Sequence, residues 1–137
     1  MGSVNERLDD WPERLAAFIE ARRERAFSWG DSDCALFVCD GVRAITGVDP
    51  GARWRGLYQS EKGARRLMRD NGGVRGLAEL AFGKPMPPAL AGRGDAVLVD
   101  TPTGEALALC LGDRLAAQGA EGIEYLPPSV GKAAWKI

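Results

Sequence analysis

The stretch Trp29-Gly30-Asp31-Ser32-Asp33-Cys34-Ala35-Leu36-Phe37-Val38 decides how this chain is read. Short polar residues lead straight into an apolar run, so a helix is predicted to begin around Ser32, with Asp31 and Asp33 as capping residues. Cys34 then stands in the first turn, where thiol enzymes often present a nucleophile. The 137 residues include no histidine, however. Thiol hydrolases pair their cysteine with an imidazole base. Either the chemistry has been lost, or the base is unusual, or the cysteine is core.

The helix is predicted to stop before Gly47, a suitable residue just past a helix end, ahead of Val48-Asp49-Pro50. Cys34, Phe37, Val38, Gly41 and Ile45 share one of its faces, so the side carrying the thiol is the side that packs. Gly41 is expected to let another backbone come close. Upstream, Asp10-Trp11-Pro12-Glu13 reads as a capping-box variant opening an amphipathic helix to about residue 26. Trp11, Leu15, Phe18, Ile19 and Arg22 recur along it at helical spacing. Downstream, residues 50–57 read as a loop anchored by Trp54. A third helix is expected from Ser60 to Asp70, and a short fourth through Leu77, Leu80 and Ala81 to Gly83. Lys84-Pro85-Met86-Pro87-Pro88 reads as a stiff connector.

Beyond it the pattern changes to strands. Gly94-Asp95 turns into Ala96–Val99, and the apolar run Ala106–Leu111 ends at Gly112-Asp113. Leu115–Gln118 and Ile123–Leu126 flank Gly119 and Gly122 as a hairpin, Pro127-Pro128 breaks it, and Trp135–Ile137 closes the sheet. This order predicts one α+β domain over residues 1–137, with helices over about 8–83 packed on an antiparallel sheet or partial barrel over about 93–137.

Charge and composition narrow the function classes. With 18 basic and 19 acidic residues the net charge is −1, so no global field favours nucleic acid or an anionic membrane. Three cysteines, Cys34, Cys39 and Cys110, fit neither a secreted disulfide framework nor a zinc site, and point to reduced, cytoplasmic synthesis. No cofactor or metal is expected. Met1-Gly2-Ser3 starts like a myristoylation signal, but Glu6 stands where Ser or Thr is needed. The polar residues Glu6, Arg7, Asp9 and Asp10 do not make a signal peptide, and no apolar run approaches the roughly 18 residues of a membrane span.

The Asp33-Cys34 helix start, the Gly94-Asp95 strand entry and the apolar strand ending in Gly112-Asp113 resemble the NlpC-type cell-wall peptidases of the papain-like superfamily. Trp29-Gly30, Phe37, Gly47-Val48-Asp49-Pro50, Arg55-Gly56-Leu57-Tyr58, Glu61-Lys62-Gly63 and Trp135 add a resemblance to a phage-tail branch of such domains, across nearly the whole chain. The resemblance implies a papain-type fold in which Cys34 is the nucleophile attacking a peptidoglycan amide. It puts the base histidine at the position of Ala106, and the group that orients it near Gln118. Alanine takes no proton, so the standard mechanism is absent.

Could Cys34 still react? The helix N-terminus favours its thiolate, while Asp31 and Asp33 oppose it and no nearby cation reverses the sign. The packed-core reading of Cys34 outweighs catalysis, and Cys39 and Cys110 read as small buried hydrophobes. Lys62, Arg65, Arg66 and Arg69 align on the third helix, read first as a solvated face, with an acidic neighbour or DNA as functional alternatives. What the resemblance implies is a structural component of a phage-tail tip in the virion, docking on hub and tail proteins, with no nucleic acid or membrane partner. The alternative is a tail-associated peptidoglycan amidase or endopeptidase using Cys34.

Overall fold

The first helix, α1, spans Trp11–Arg22 and has proline in its opening turn. The computed structural model to which it belongs describes residues 6–137, and Met1-Gly2-Ser3 lies outside them. Asp10 occupies the N-cap position without capping. Its carboxylate instead accepts from Arg14 Nε at 2.7 Å, so an ion pair one turn apart replaces the expected capping box. The helix ends four residues before the predicted 26 because the chain beyond it bonds elsewhere. Arg23 C=O accepts the Ile123 N–H at 2.9 Å, and Phe27 N–H donates to Ala120 O at 3.0 Å. Arg22 itself turns inward.

The helix expected from Ser32 is α2, Cys34–Thr46, with Asp33 as its true N-cap. The extended Asp33 backbone lets its carboxylate accept the Leu36 N–H at 2.9 Å, which satisfies one otherwise free donor of the first turn. Phe37, Val38, Val42 and Ile45 are fully buried on one side of α2. Gly41 lies on that side too, but the neighbours filling the space beside it are side chains, not backbone. A Cβ there would collide with Leu109 Cδ1 and stand 3.1 Å from Phe18 Cε2. Two shorter helices follow. Helix α3 is Glu61–Asp70, capped by Ser60 accepting the Gly63 N–H at 3.1 Å, and α4 is Gly73–Phe82.

Five strands complete the domain: β1 Ala96–Thr101, β2 Gly104–Cys110, β3 Leu115–Gln118, β4 Ile123–Leu126 and β5 Gly131–Trp135. Their order across the sheet is β4-β3-β2-β1-β5, every neighbouring pair antiparallel. The last strand therefore does not extend the meander; it returns to the free edge of β1, with Trp135 opposite Ala96. It also starts four residues before the predicted Trp135, directly after the turn that Pro128 opens. β4 and β5 are the two outer strands of an open α+β sheet.

Strand alternation divides the apolar residues between two faces. Leu98, Leu107, Leu109, Ala116, Ala133 and Trp135 pack with Leu15, Phe37, Val38, Val42 and Ile45 of the helices. Val97, Val99, Ala108, Cys110, Leu115 and Ala134 form the other face, covered by Met86, Ala91 and Val130. The connector read as a stiff link is thus a lid over that outer face. Met86 and Ala134 exchange backbone hydrogen bonds of 2.8 and 2.9 Å, which hold it down.

Candidate functional site

Cys34 is the first residue of α2, held there by the Asp33 cap. The residue is half-buried, but its sulfur sits in the interior beside the backbone of Leu107 on β2. Burial pushes the thiol from 9.0 up to about 11, and the charge of Asp33 pushes the same way. Backbone groups of Leu107, Ala35 and Cys34 itself pull the value down without reversing it. Loss of hydration therefore outweighs the helix N-terminus. Cys39, one turn and a half further along, is pushed up to about 12, again chiefly by burial.

Asp33 does more than cap the helix. It is 2% exposed, and its second oxygen accepts the Gly30 N–H at 3.0 Å and the Tyr58 hydroxyl at 2.6 Å. Burial and this hydrogen bond both raise the Tyr58 phenol, so Tyr58 stays neutral and is no base. Gly30 is required where it stands. Its φ of +81° is in the left-handed region, and the Tyr58 carbonyl occupies the space a Cβ would need.

Gln118, the expected third position, lies at the end of β3 and is engaged away from Cys34. Its Oε1 accepts from Ser32 Oγ at 2.8 Å, while its Nε2 donates to the carbonyls of Arg25 and Gly119 at 2.8 and 2.9 Å. Ser32 in turn accepts from Arg22 at 2.7 Å. Arg22 also donates to Asp40 at 2.6 Å, and Asp40 receives Arg55 at 2.6 Å, which continues to Asp49 at 2.7 Å. The buried Arg22 guanidinium lies 5.4 Å from the Phe18 ring and 5.5 Å from the Phe37 ring, with its Nε lacking a hydrogen-bond partner. This chain of polar contacts ties α1, α2, the 49–58 loop and β3 together.

The position expected for a base is also hydrocarbon. Ala106 packs with the outer-face cluster, whereas Leu107, its neighbour, belongs to the helix-side core and puts its backbone beside the thiol. A one-residue step along a strand changes the face. Neither side chain takes a proton. Beside the start of α2, a cavity of about 20 Å³ is lined by Ala35, Leu36, Trp54, Tyr58, Phe82 and Leu107 among others. That volume holds about one water. Small-molecule sites need roughly 300–1,000 Å³.

Sequence reasoning placed Asp33 and Cys34 together at the start of a helix, where they stand in α2. It missed the partnership of Tyr58 with Asp33 and of Ser32 with Gln118. The one signal within reach was Arg22, a charged residue recurring at core spacing on α1 and 6% exposed in the fold. Such a residue needs a buried acceptor. Asp31, in contrast, faces outward and pairs with Arg25 at 2.6 Å. The basic residues Lys62, Arg65, Arg66 and Arg69 all lie exposed on α3. No helix among the described residues is long and apolar enough to cross a membrane.

Among curated proteins none matches the chain. A family model does match, over residues 6–137, and its description is a domain of unknown function, DUF6950. With nearly its whole length matched, the chain belongs to that family.

Proposed function

We propose that the chain is a peptidase-like domain without hydrolytic chemistry, a structural component of a phage or phage-like tail tip that docks on hub and tail proteins. The observation that carries the loss of chemistry is the setting of Cys34. Its thiol is pushed up to about 11, beside a strand that offers only Ala106 and Leu107. At neutral pH such a cysteine is almost wholly protonated, and a thiol hydrolase needs the thiolate or a base to make it.

The neighbouring polar groups supply no substitute. Asp33 is saturated by two N–H groups and the Tyr58 hydroxyl, and Gln118 is spent on Ser32 and two carbonyls. The cavity of about 20 Å³ beside the helix start has no room for a peptide. The tail-tip assignment is supported by the sequence resemblance, which runs across nearly the whole chain. Its test is recovery of a tagged copy with tail particles from cells producing them. Stable co-purification with hub proteins is expected. A chain that stays unassociated, while free chain cleaves peptidoglycan, would make it the amidase or endopeptidase instead.

A further inference from the structure

We infer that the exposed face of α3 is a docking surface for an acidic segment of a partner protein, an inference that rests on the docking reading above. Charge is segregated along this chain. Residues 53–75 carry seven basic side chains against two acidic, while the remainder carries eleven against seventeen. Of the seven, Arg55 is used internally, bound to Asp40 and Asp49. Lys62, Arg65, Arg66 and Arg69 are all exposed and recur at helical spacing, so they form one stripe. At 1.5 Å per residue it is about 10 Å long.

This stripe is only partly neutralised from within. Arg65 pairs with Glu61, and Arg69 Nε stands 4.0 Å from the Asp70 carboxylate. Lys62 and Arg66 make no ion pair among the described residues, and they are one turn apart, where like charges repel. The opposite side of α3 is fixed by Ala64, which is buried, and by Leu67 and Met68, which are partly so. The helix therefore presents its cations on a held scaffold. The side chains of Ser60, Lys62, Arg66 and Arg69, with the paired Glu61 and Arg65, border an open hollow into which further carboxylates can reach.

An acidic protein segment fits this surface better than nucleic acid does. The stripe can neutralise about four phosphates at most, which gives a long polyanion little to hold. No base-stacking aromatic accompanies it: Trp54 is buried, with the Arg53 guanidinium 5.4 Å over its ring. A partner helix with carboxylates at i, i+3, i+4 and i+7 repeats the spacing of the stripe.

The test uses the full chain, a labelled helical peptide with glutamates at those positions, and the same peptide with glutamines. The variants are Lys62→Glu/Arg66→Glu and Lys62→Gln/Arg66→Gln, with far-UV circular dichroism confirming the fold. The glutamate peptide is expected to bind and the glutamine peptide to bind far more weakly. Charge reversal should weaken the glutamate peptide about tenfold or more, neutralisation less, and rising salt should weaken it throughout. Equal binding by the charge-reversed chain, or tighter binding of a DNA duplex, would overturn the inference. Particle recovery separates the two readings. If wild type enters tail particles and Lys62→Glu/Arg66→Glu enters equally well, the stripe is not the docking surface although docking stands. If wild type does not enter, the docking reading fails, and the peptide titration alone decides the stripe.

Discussion

Alkylation of Cys34 by iodoacetamide should be slow by an amount that follows from its surroundings. With the thiol raised from 9.0 to about 11, the thiolate fraction at pH 7 falls from about one in a hundred to about one in ten thousand. A thiolate of higher pKa is also a better nucleophile. With a Brønsted slope of about 0.4–0.5, two units return about eightfold of that hundredfold loss. The net expectation is a rate about tenfold below that of an unstructured cysteine, before any steric hindrance. Peptide mapping by mass spectrometry reads each cysteine separately, with the urea-unfolded chain as reference. The Cys34 rate should keep rising past pH 9 and level off only near 11. Cys39, pushed up to about 12, should react more slowly still. A plateau below pH 8, or a rate above that of the unfolded chain, would refute the reasoning and restore an activated thiol.

Three further perturbations test the packing around the site. Raised pKa values mean the fold holds Cys34, Cys39 and Tyr58 neutral, so their contribution is intact below about pH 9 and is lost as pH climbs through 9 toward 11 and beyond. Urea midpoints should fall over that window, and Cys34→Ala should blunt the fall; a midpoint flat to pH 11 would contradict it. Gly41→Ala should destabilise by up to about 2 kcal/mol, since overpacking against Leu109 and Phe18 costs about 1–3 and the better helix former returns about 1. Denaturant unfolding that shows a stabilised variant would mean the α2–β2 contact is looser than described. Asp33→Ala should cost about 2–4 kcal/mol, combining a lost cap with an unpartnered Tyr58 hydroxyl and Gly30 amide, whereas Asp33→Asn keeps an acceptor and should cost less. Equal losses in the two would show that charge, not hydrogen bonding, is what Asp33 supplies.

Much of the fold was legible because local chemistry and tertiary position agree. The β3–β4 hairpin falls on its predicted residues, since Gly119 and Gly122 mark its turn and Pro127 ends it. The Ser60 cap and the Asn71 end bracket α3 for the same reason. Two boundaries moved where long-range bonds decide them. α1 stops early because the backbone of Arg23 and Phe27 bonds to Ile123 and Ala120, and β5 starts early because the edge of β1 is free to receive it. The close approach at Gly41 was legible but not its partner, because a missing side chain signals space without saying what fills it. At the site, the capped cysteine could be read from the residues. The saturation of Asp33 and Gln118 could not, since Ser32 and Gln118 are 86 positions apart and meet only in the fold.

Turnover of purified muropeptides by the full chain, measured beside Cys34→Ser at pH 7, tests the central claim most directly. Product should form no faster than in buffer alone, with no difference between the two proteins. Cleavage by the wild type that vanishes in Cys34→Ser would contradict it.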